Sequence, residues 1–309
     1  RYPPRKTPGT FMHPVRRSLI ELNTSVLMLG LVPLFAKWIR LDAVSIIGWR
    51  ALLGAVALVG FLLLRRTRLR LNRRRDYGIV VLLGVLMAVH WASYFQAIQV
   101  STVAVAVVAM FTWPVIAVLI EPLISGGRYH PRDLLLAVLA LCGVALVVPE
   151  FSLGSSAVHG AAWGLFSAVL FALRNVLHRR LLTGYPSSLM MGYQLVVIAA
   201  CLMPLSRQPP ADDWVLLGVL AVVFTALAHS LLVGSMRQLK AKTVGMISCL
   251  QPVYGIVAAA LLLGEYTSPR GILGAALVVA VAVVETVVAR GEAARAARES
   301  KASWRAQKD

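Results

Sequence analysis

The sequence has little of what a soluble, catalytic or disulfide-stabilised protein needs. Three cysteines occur among 309 residues, each in an apolar stretch without a CxxC pair or a neighbouring histidine, which excludes a disulfide framework and a structural zinc site. Acidic residues are also scarce, with 13 Asp and Glu against 31 Lys and Arg. No HExxH, GxSxG, P-loop or Asp-rich metal motif is present. The sequence therefore predicts no enzyme, no direct use of ATP, no cofactor and no metal.

Apolar residues dominate what is there. The chain is 59% hydrophobic and 14% charged, with a mean hydropathy of +0.76, which predicts an integral membrane protein. The net charge of +18 lies in segments between apolar runs, so it indicates membrane topology and anionic lipid rather than nucleic acid. We expect the partners to be the lipid bilayer and a small-molecule substrate. The first apolar run is too long for a signal peptide and lacks a small-x-small cleavage site, so it is interpreted as a membrane span.

The expected fold class is an all-α integral membrane protein with ten transmembrane helices. A helix of about 20 apolar residues crosses the ~30 Å hydrocarbon core of a bilayer. Segments of about that length lie near residues 19–39, 43–64, 77–98, 101–124, 131–149, 159–178, 186–205, 213–235, 243–263 and 269–289.

The basic residues predict the orientation of these spans. If the amino terminus is cytoplasmic, the cytoplasmic segments hold 25 of the 31 Lys and Arg residues and the outer loops hold three. The positive-inside rule then places both termini in the cytoplasm. Short loops, a basic interior and an Ala/Arg-rich composition favour the inner (plasma) membrane of a bacterium.

The chain contains an internal repeat. Residues 114–133 and 252–271, which are 138 positions apart, share six of twenty residues without a gap. A repeat with an odd number of spans makes its second copy enter the membrane from the opposite side. Equivalent loops then face opposite compartments and follow opposite charge rules, and the basic "RRTRLRLNRRR" does correspond to "SRQPPADD". This predicts two inverted five-helix repeats, with a substrate site near the bilayer midplane and alternating access between the two repeats.

The predicted organisation has five parts. A cytoplasmic segment (1–18) precedes repeat 1 (19–149), a linker (150–158) joins it to repeat 2 (159–289), and a basic cytoplasmic tail (290–309) follows. Small-residue patterns such as Gly143-Val144-Ala145 allow helices to approach closely. We expect these patterns to serve internal packing or, alternatively, a homodimer.

Two stretches carry a family resemblance. Residues 90–123 ("HWASYFQAIQVSTVAVAVVAMFTWPVIAVLIEPL") and 233–265 ("VGSMRQLKAKTVGMISCLQPVYGIVAAALLLGE") resemble the drug/metabolite transporter superfamily, EamA type. Its pattern is a small-residue-rich span, a short turn, a helix broken by Pro and an acidic residue near that helix's end. The resemblance covers roughly 19–289 and implies a ten-helix secondary transporter, often an exporter of amino acids or other metabolites. Glu121 departs from the pattern because it lies earlier on its helix than Glu265 does.

The resemblance also implies the first set of site residues. In the aromatic and broad-range amino-acid exporter branch, aromatics of the third and fourth spans line the central cavity. The matching residues here are His90, Trp91, Tyr94, Phe111 and Trp113. His90 and Tyr94 also share one helix face by their i, i+4 spacing, which suits either a cavity wall or helix–helix packing.

The two repeats place a proline at equivalent positions. Trp113-Pro114 and Gln251-Pro252 predict kinks that expose backbone carbonyls. With Tyr254 as a neighbour, Trp and Gln would form an asymmetric pocket with a stacking face and an amide. The alternative is that both prolines only shape the bundle.

Several cations interrupt the predicted spans. Arg174-Asn175 lies in the sixth span and His229 in the eighth; Arg174 either snorkels to the cytoplasm or binds a substrate carboxylate. Arg50, in the second span, either pairs with a carbonyl or an acid or attracts anions. Lys37 is expected to anchor the first span at the interface. Together they favour substrates that carry a carboxylate or a phosphate.

The substrate class stays open at this point. Amino acids are the expected cargo, by export or facilitated diffusion. The alternatives are a multidrug or small-cation exporter and a nucleotide-sugar or lipid-type transporter of the same superfamily. A cation exporter should carry a glutamate within an early span, where this chain offers only the peripheral Glu21. Proton coupling would depend on His90 or His229.

Overall fold

The computed structural model describes residues 9–67, 69–125, 131–149, 152, 154–182, 184–235, 239 and 241–306. Regular structure in this part of the chain is helical throughout, as the sequence predicts. A 3₁₀ turn (Met203–Leu205) follows α8, and a π segment (Val222–Leu227) joins α9 to α10. The α-helices are α1 (Gly9–Trp38), α2 (Ala43–Leu64), α3 (Arg74–Val100), α4 (Val103–Met110), α5 (Trp113–Ser125), α6 (Pro131–Val147), α7 (Ser156–Leu181), α8 (Ser187–Leu202), α9 (Asp213–Ala221), α10 (Ala228–Ser235), α11 (Ala241–Ser248), α12 (Gln251–Leu263) and α13 (Pro269–Ala306).

Every predicted span has helical structure at its position. Eight segments of the described residues are long and apolar enough to cross a membrane. The fifth and tenth predicted spans correspond to α6, which has 17 residues, and to the apolar first half of α13. Three spans are composite: α4 with α5, α9 with the π segment and α10, and α11 with α12.

The two repeats are inverted, which follows from where their loops lie. Ser45, at the start of α2, accepts a hydrogen bond from the backbone N–H of Arg207 at 2.8 Å. The basic loop 65–73 begins at the other end of the same helix. Loops 65–73 and 206–212, which are equivalent in the two repeats, therefore lie at opposite ends of the bundle. We call these the Arg179 end and the Lys37 end, after the ion pairs described below.

Helices of one repeat pack mainly on helices of the other. α3 packs on α7 and α8, and the equivalent contact in the other repeat is that of α10 on α1. α2 with α8, α4 with α12, and α6 with α13 join helices of the two repeats. The main apolar core draws on both repeats, from Val32 in α1 to Val278 in α13. This arrangement places the middle of the bundle between the repeats.

Local sequence signals fix several helix ends. Asp42, Thr102 and Ser155 are N-caps whose side chains accept the backbone N–H three residues on, at 3.1–3.3 Å. α12 ends at Gly264, whose φ of +67° lies in the left-handed region that glycine adopts without steric cost.

Tyrosines of both repeats hold the basic loop 65–73 in place. Tyr193 donates to the Leu69 carbonyl at 2.8 Å, and Tyr77 accepts the Leu71 N–H at 3.0 Å. Tyr185 donates to the carboxylate of Asp76, and this hydrogen bond raises the pKa of the Tyr185 phenol above its ordinary value. This loop, which carries five of the twelve Lys and Arg residues of repeat 1, is therefore held in place by hydrogen bonds to tyrosine side chains.

Candidate functional site

A cavity of about 430 Å³ lies between the repeats. Its wall receives side chains from α1, α2, α3, α7, α8, α10 and the two broken spans. No Asp or Glu of the described residues lies in this wall. Ten of the residues singled out in the sequence do: Arg50, His90, Trp91, Tyr94, Phe111, Trp113, Pro114, Arg174, His229 and Gln251.

Three other residues singled out in the sequence lie outside the lining. Asn175 uses its side-chain oxygen to accept a hydrogen bond from Arg174 Nη1 at 2.8 Å. Tyr254 packs against a small apolar cluster of α1 and α11 that includes Val26. Pro252 is buried immediately after the lining residue Gln251. Asn175 therefore contacts a lining residue without belonging to the lining itself.

Both proline-containing spans are interrupted at the cavity. α4 ends at Met110 and α5 begins at Trp113, while α11 ends at Ser248 and α12 begins at Gln251. Each proline occupies the second position of its new helix, where its missing N–H leaves no helical bond unmade. The interruptions place Phe111 and Cys249, from equivalent turns of the two repeats, in the cavity wall.

Arg50 enters the cavity from α2 and is held by two neutral groups. Its Nε donates to Thr225 Oγ1 at 2.8 Å, and its guanidinium carbon lies 4.1 Å from the ring centroid of Trp91. Thr225 belongs to the π segment, whose wider turn lets its hydroxyl donate to Leu220 O, five residues back, at 2.8 Å. These contacts fix the guanidinium without neutralising it and leave its terminal nitrogens available to a ligand.

Arg174 lines the cavity from α7 instead of snorkelling to the bundle end. Its Nη1 donates to Asn175 Oδ1, and its Nη2 donates to Gln194 Oε1 of α8 at 2.6 Å. Both acceptors are neutral amides. Neither Arg50 nor Arg174 has a carboxylate partner among the described residues, so the wall carries two cations without a countercharge.

His90 and His229 complete the polar part of the wall. They are 139 residues apart, one more than the 138-residue offset between the two repeats, so they lie at nearly equivalent positions. His90 Nδ1 lies 3.0 Å from Ser167 O, and His229 Nδ1 lies 2.8 Å from Thr225 O. A carbonyl oxygen can only accept, so these contacts favour the tautomer with the proton on Nδ1 and an acceptor at Nε2. Ser167 Oγ, which lies 2.8 Å from His90 Nδ1, can accept the same proton because its own hydrogen is directed to His90 O. Hydroxyl or ammonium groups of a ligand can donate to these Nε2 atoms.

Aromatic rings form the apolar part of the wall. Phe171 of α7 stacks on His90 with 4.6 Å between ring centroids and meets Trp113 edge-on at 5.1 Å. His90 and Tyr94 lie parallel at 6.4 Å, as their i, i+4 spacing predicts. The aromatic rings thus line the same cavity as the two histidines and the two arginines.

Ion pairs tie helices together at each end of the bundle. At the Lys37 end, Lys37 Nζ lies 3.4 Å from Glu265 Oε1 and donates to Ser101 O at 2.6 Å. The second oxygen of Glu265 accepts the N–H of Val103, the first residue of α4, at 2.8 Å. At the Arg179 end, Arg179 pairs with Glu121 at 2.6 Å. Glu121 and Glu265 thus form ion pairs at opposite ends of the bundle, as the inversion of the two repeats requires.

We expect Glu265→Ala to destabilise the protein by about 1 kcal/mol, because it removes both the pair with Lys37 and the acceptor at the amino terminus of α4. Glu265→Gln should recover part of this loss through the amide oxygen. Asp212→Ala is the matched control, because the Asp212–Arg40 pair is highly exposed and should contribute little. Thermal unfolding in detergent measures all three, and equal midpoints for Glu265→Ala and Asp212→Ala would contradict the role given to Glu265.

Sequence reasoning missed several residues of the site. Thr225, Gln194 and Ser167 are each fully buried and hydrogen-bonded to a cavity residue, and Phe171 lines the wall. A single polar residue inside an apolar span is the signal that could have found Thr225 and Gln194.

Comparison with known proteins follows the same division into two halves. A sequence model of the EamA-like transporter family matches residues 19–148 and 158–286. An "uncharacterized transporter" from Archaeoglobus fulgidus (strain ATCC 49558 / DSM 4304 / JCM 9628 / NBRC 100126 / VC-16) is 24% identical over 261 residues, which cover 83% of this chain and 91% of the relative. A solved structure titled "Crystal structure of protein" shares the fold, with a TM-score of 0.62 at 19% identity, over 88% of this chain and 97% of that one.

Proposed function

The chain belongs to the EamA-like transporter family. From this premise we propose that it is a secondary transporter of small metabolites that carry a carboxylate, amino acids above all. It moves them by alternating access through the cavity between its repeats. Export and facilitated diffusion both fit this proposal. Multi-pass insertion follows from the family and the apolar helices.

The observation that carries the proposal is the uncompensated charge of the cavity wall. Arg50 and Arg174 both line the cavity, while the described residues contribute no carboxylate to it. A charge inside a membrane is costly unless it is paired. A substrate carboxylate would supply the missing partner, and a guanidinium fork can bind it through two parallel hydrogen bonds.

The remaining groups suit the other parts of an amino acid. Nε2 of His90 and of His229 can accept hydrogen bonds from an α-ammonium group. The indole face of Trp113 can attract the same cation. The apolar lining, which includes Met110 and Phe111, suits a hydrocarbon or aromatic side chain.

A small-cation exporter fits this cavity less well. Such a protein needs a carboxylate within reach of the cation. The early glutamate, Glu21, instead bonds Arg17 at 2.8 Å and lies outside the cavity lining. The positive wall would repel a cationic drug.

The charge pattern of the loops supports an orientation. The Arg179 end carries the basic loop 65–73 together with Arg179 and Arg180, and at the Lys37 end Asp212, Asp213 and Glu265 accompany the cations. By the positive-inside rule we place the Arg179 end and both termini in the cytoplasm, in the plasma membrane of a bacterium. Cysteine labelling of loops 65–73 and 206–212 in intact cells tests this placement.

Counterflow into proteoliposomes tests the function. We expect uptake of labelled amino acids, and no uptake of the corresponding decarboxylated amines, which keep the side chain and the ammonium group but offer nothing to Arg50. A nucleotide sugar and a cationic dye complete the panel. Transport of the amines or of the dye without transport of the amino acids would overturn the proposal.

A further inference from the structure

A polar cluster surrounds Arg174, and Arg174 is the member of it that lines the cavity. It comprises Arg174 and His178 of α7, one turn apart on one helix face, and Gln194 of α8. Three buried atoms of this cluster have no hydrogen-bond partner among the described residues: Arg174 Nε, His178 Nε2 and Gln194 Nε2. More than about 90% of buried polar groups in proteins are paired, so these unpaired atoms on and around Arg174 are candidates for hydrogen bonds to a ligand.

The cluster favours acceptors over donors. Arg174 Nε and the Gln194 amide nitrogen can only donate hydrogen bonds. Gln194 is fully buried, and its oxygen is already used by Arg174 Nη2 at 2.6 Å. Because both acceptors around the guanidinium are neutral amides, its full positive charge remains. Arg174 and Gln194 therefore favour a ligand group with oxygen acceptors and a negative charge, and His178 Nε2 can donate to the same group in the tautomer that carries its proton there.

This cluster is separate from the Arg50 position. Arg50 comes from repeat 1 and is held by Thr225 and Trp91. Arg174 comes from repeat 2 and is held by Asn175 and Gln194. No residue is shared between these two sets of described contacts. A substrate with one carboxylate can neutralise one arginine and leaves the other charged inside the membrane, which is unfavourable.

We propose that Arg174, Gln194 and His178 form a second anion subsite, so that the preferred substrate is a small organic acid with two carboxylates, one bound at Arg50 and the other at Arg174. Acidic amino acids and plain dicarboxylic acids share this chemistry. The inference rests on the proposed function, because it needs a carboxylate at Arg50. It adds a charge requirement that a general amino-acid transporter does not have.

Binding of three matched ligands tests the subsite: glutamate, glutamine and glutarate. Glutamine replaces the second carboxylate with an amide of nearly the same size, and glutarate lacks the ammonium group. We expect the wild-type protein to bind glutamate about 10- to 100-fold more tightly than glutamine, as for other charge-assisted hydrogen bonds. Glutarate as tight as glutamate identifies dicarboxylic acids as the source, and weaker glutarate identifies acidic amino acids.

Two variants test whether the preference for glutamate over glutamine comes from this cluster. Arg174→Gln keeps amide donors but removes the charge, so the glutamate-to-glutamine ratio should fall to about 1. Gln194→Glu places a carboxylate beside Arg174 and should remove the preference too, with an increase in thermal stability. Arg207→Gln, in an exposed loop, is the control and should keep the wild-type ratio. Because a ratio of dissociation constants is independent of the folded fraction, partial misfolding does not obscure the result.

Equal wild-type affinity for glutamate and glutamine, or an unchanged ratio in Arg174→Gln and Gln194→Glu, would overturn the subsite. If glutamine and other monocarboxylate amino acids are still transported in that case, the proposed function stands without it. If neither glutamate nor any monocarboxylate amino acid is transported, the proposed function itself fails.

Discussion

Arg50→Gln should reduce the transport of carboxylate substrates by about 100-fold or more at low substrate concentration. Removing one partner of a buried, hydrogen-bonded charge pair costs ~2–5 kcal/mol, because the other charge is left buried and unpaired. Arg50 is 3% exposed, and its terminal nitrogens are the groups left free by Thr225 and Trp91. Glutamine can still bond Thr225, so the fold should persist. Initial uptake into proteoliposomes, normalised to inserted protein, measures the loss.

Two further variants separate charge from geometry at this position. Arg50→Lys retains the charge but loses the planar fork and its stacking on Trp91, so it should fall between wild type and Arg50→Gln. Arg207→Gln removes an arginine of an exposed outer loop and should leave uptake unchanged. Wild-type uptake by Arg50→Gln would show that the substrate carboxylate binds elsewhere.

Many residues of the cavity wall can be predicted from the sequence because they are polar or charged residues within apolar runs. Charged and aromatic-polar side chains at membrane depth are unfavourable unless they are used. Arg50, His90, Arg174 and His229 interrupt apolar runs of the sequence, and all four line the cavity. The internal repeat supplies the rest, since it makes Trp113-Pro114 and Gln251-Pro252 equivalent positions of the two halves.

The partners of these residues could not be predicted, because partnership depends on how the helices are rotated and paired. Thr225, which bonds Arg50, lies in a π segment. A π segment departs from the regular α-helical pattern, and no feature of this sequence predicts it. Gln194 meets Arg174 across the α7–α8 pair, 20 residues away along the chain. Asn175, which the sequence places beside Arg174 as a substrate contact, bonds Arg174 in the structure and lies outside the cavity lining.

The sequence gives the number of charged residues in each loop, but it does not give the partners of those residues. Inverted repeats need different charge in equivalent loops, but the sequence does not show which cation Glu265 contacts. The structure pairs Glu265 with Lys37 and the amino terminus of α4. Lys37 is accordingly part of a contact between helices as well as an interface cation.

The second large effect is expected for Gly274→Leu, which should prevent correct folding. A Cβ at Gly274 would lie 2.4 Å from the Gly143 carbonyl oxygen and 2.8 Å from the Leu146 Cβ. Backbone atoms cannot rotate aside as a flexible side chain can, so α6 and α13 must separate. Overpacking a tight contact costs ~1–3 kcal/mol and more when the backbone must move, and this contact joins equivalent helices of the two repeats. Loss of the monodisperse peak in fluorescence-detected size-exclusion chromatography measures the failure.

Gly218→Leu is the matched control for this failure. It makes the same substitution inside α9, at a position where a Cβ meets no other heavy atom within 4 Å. Removing a helix-interior glycine there should be neutral or stabilise the helix by up to ~1 kcal/mol. The small residues around Gly143 suit internal packing or a dimer on sequence grounds alone. If Gly274→Leu stayed folded and changed only the oligomeric state, the α6–α13 contact would not hold the two repeats together, and the dimer alternative would replace it.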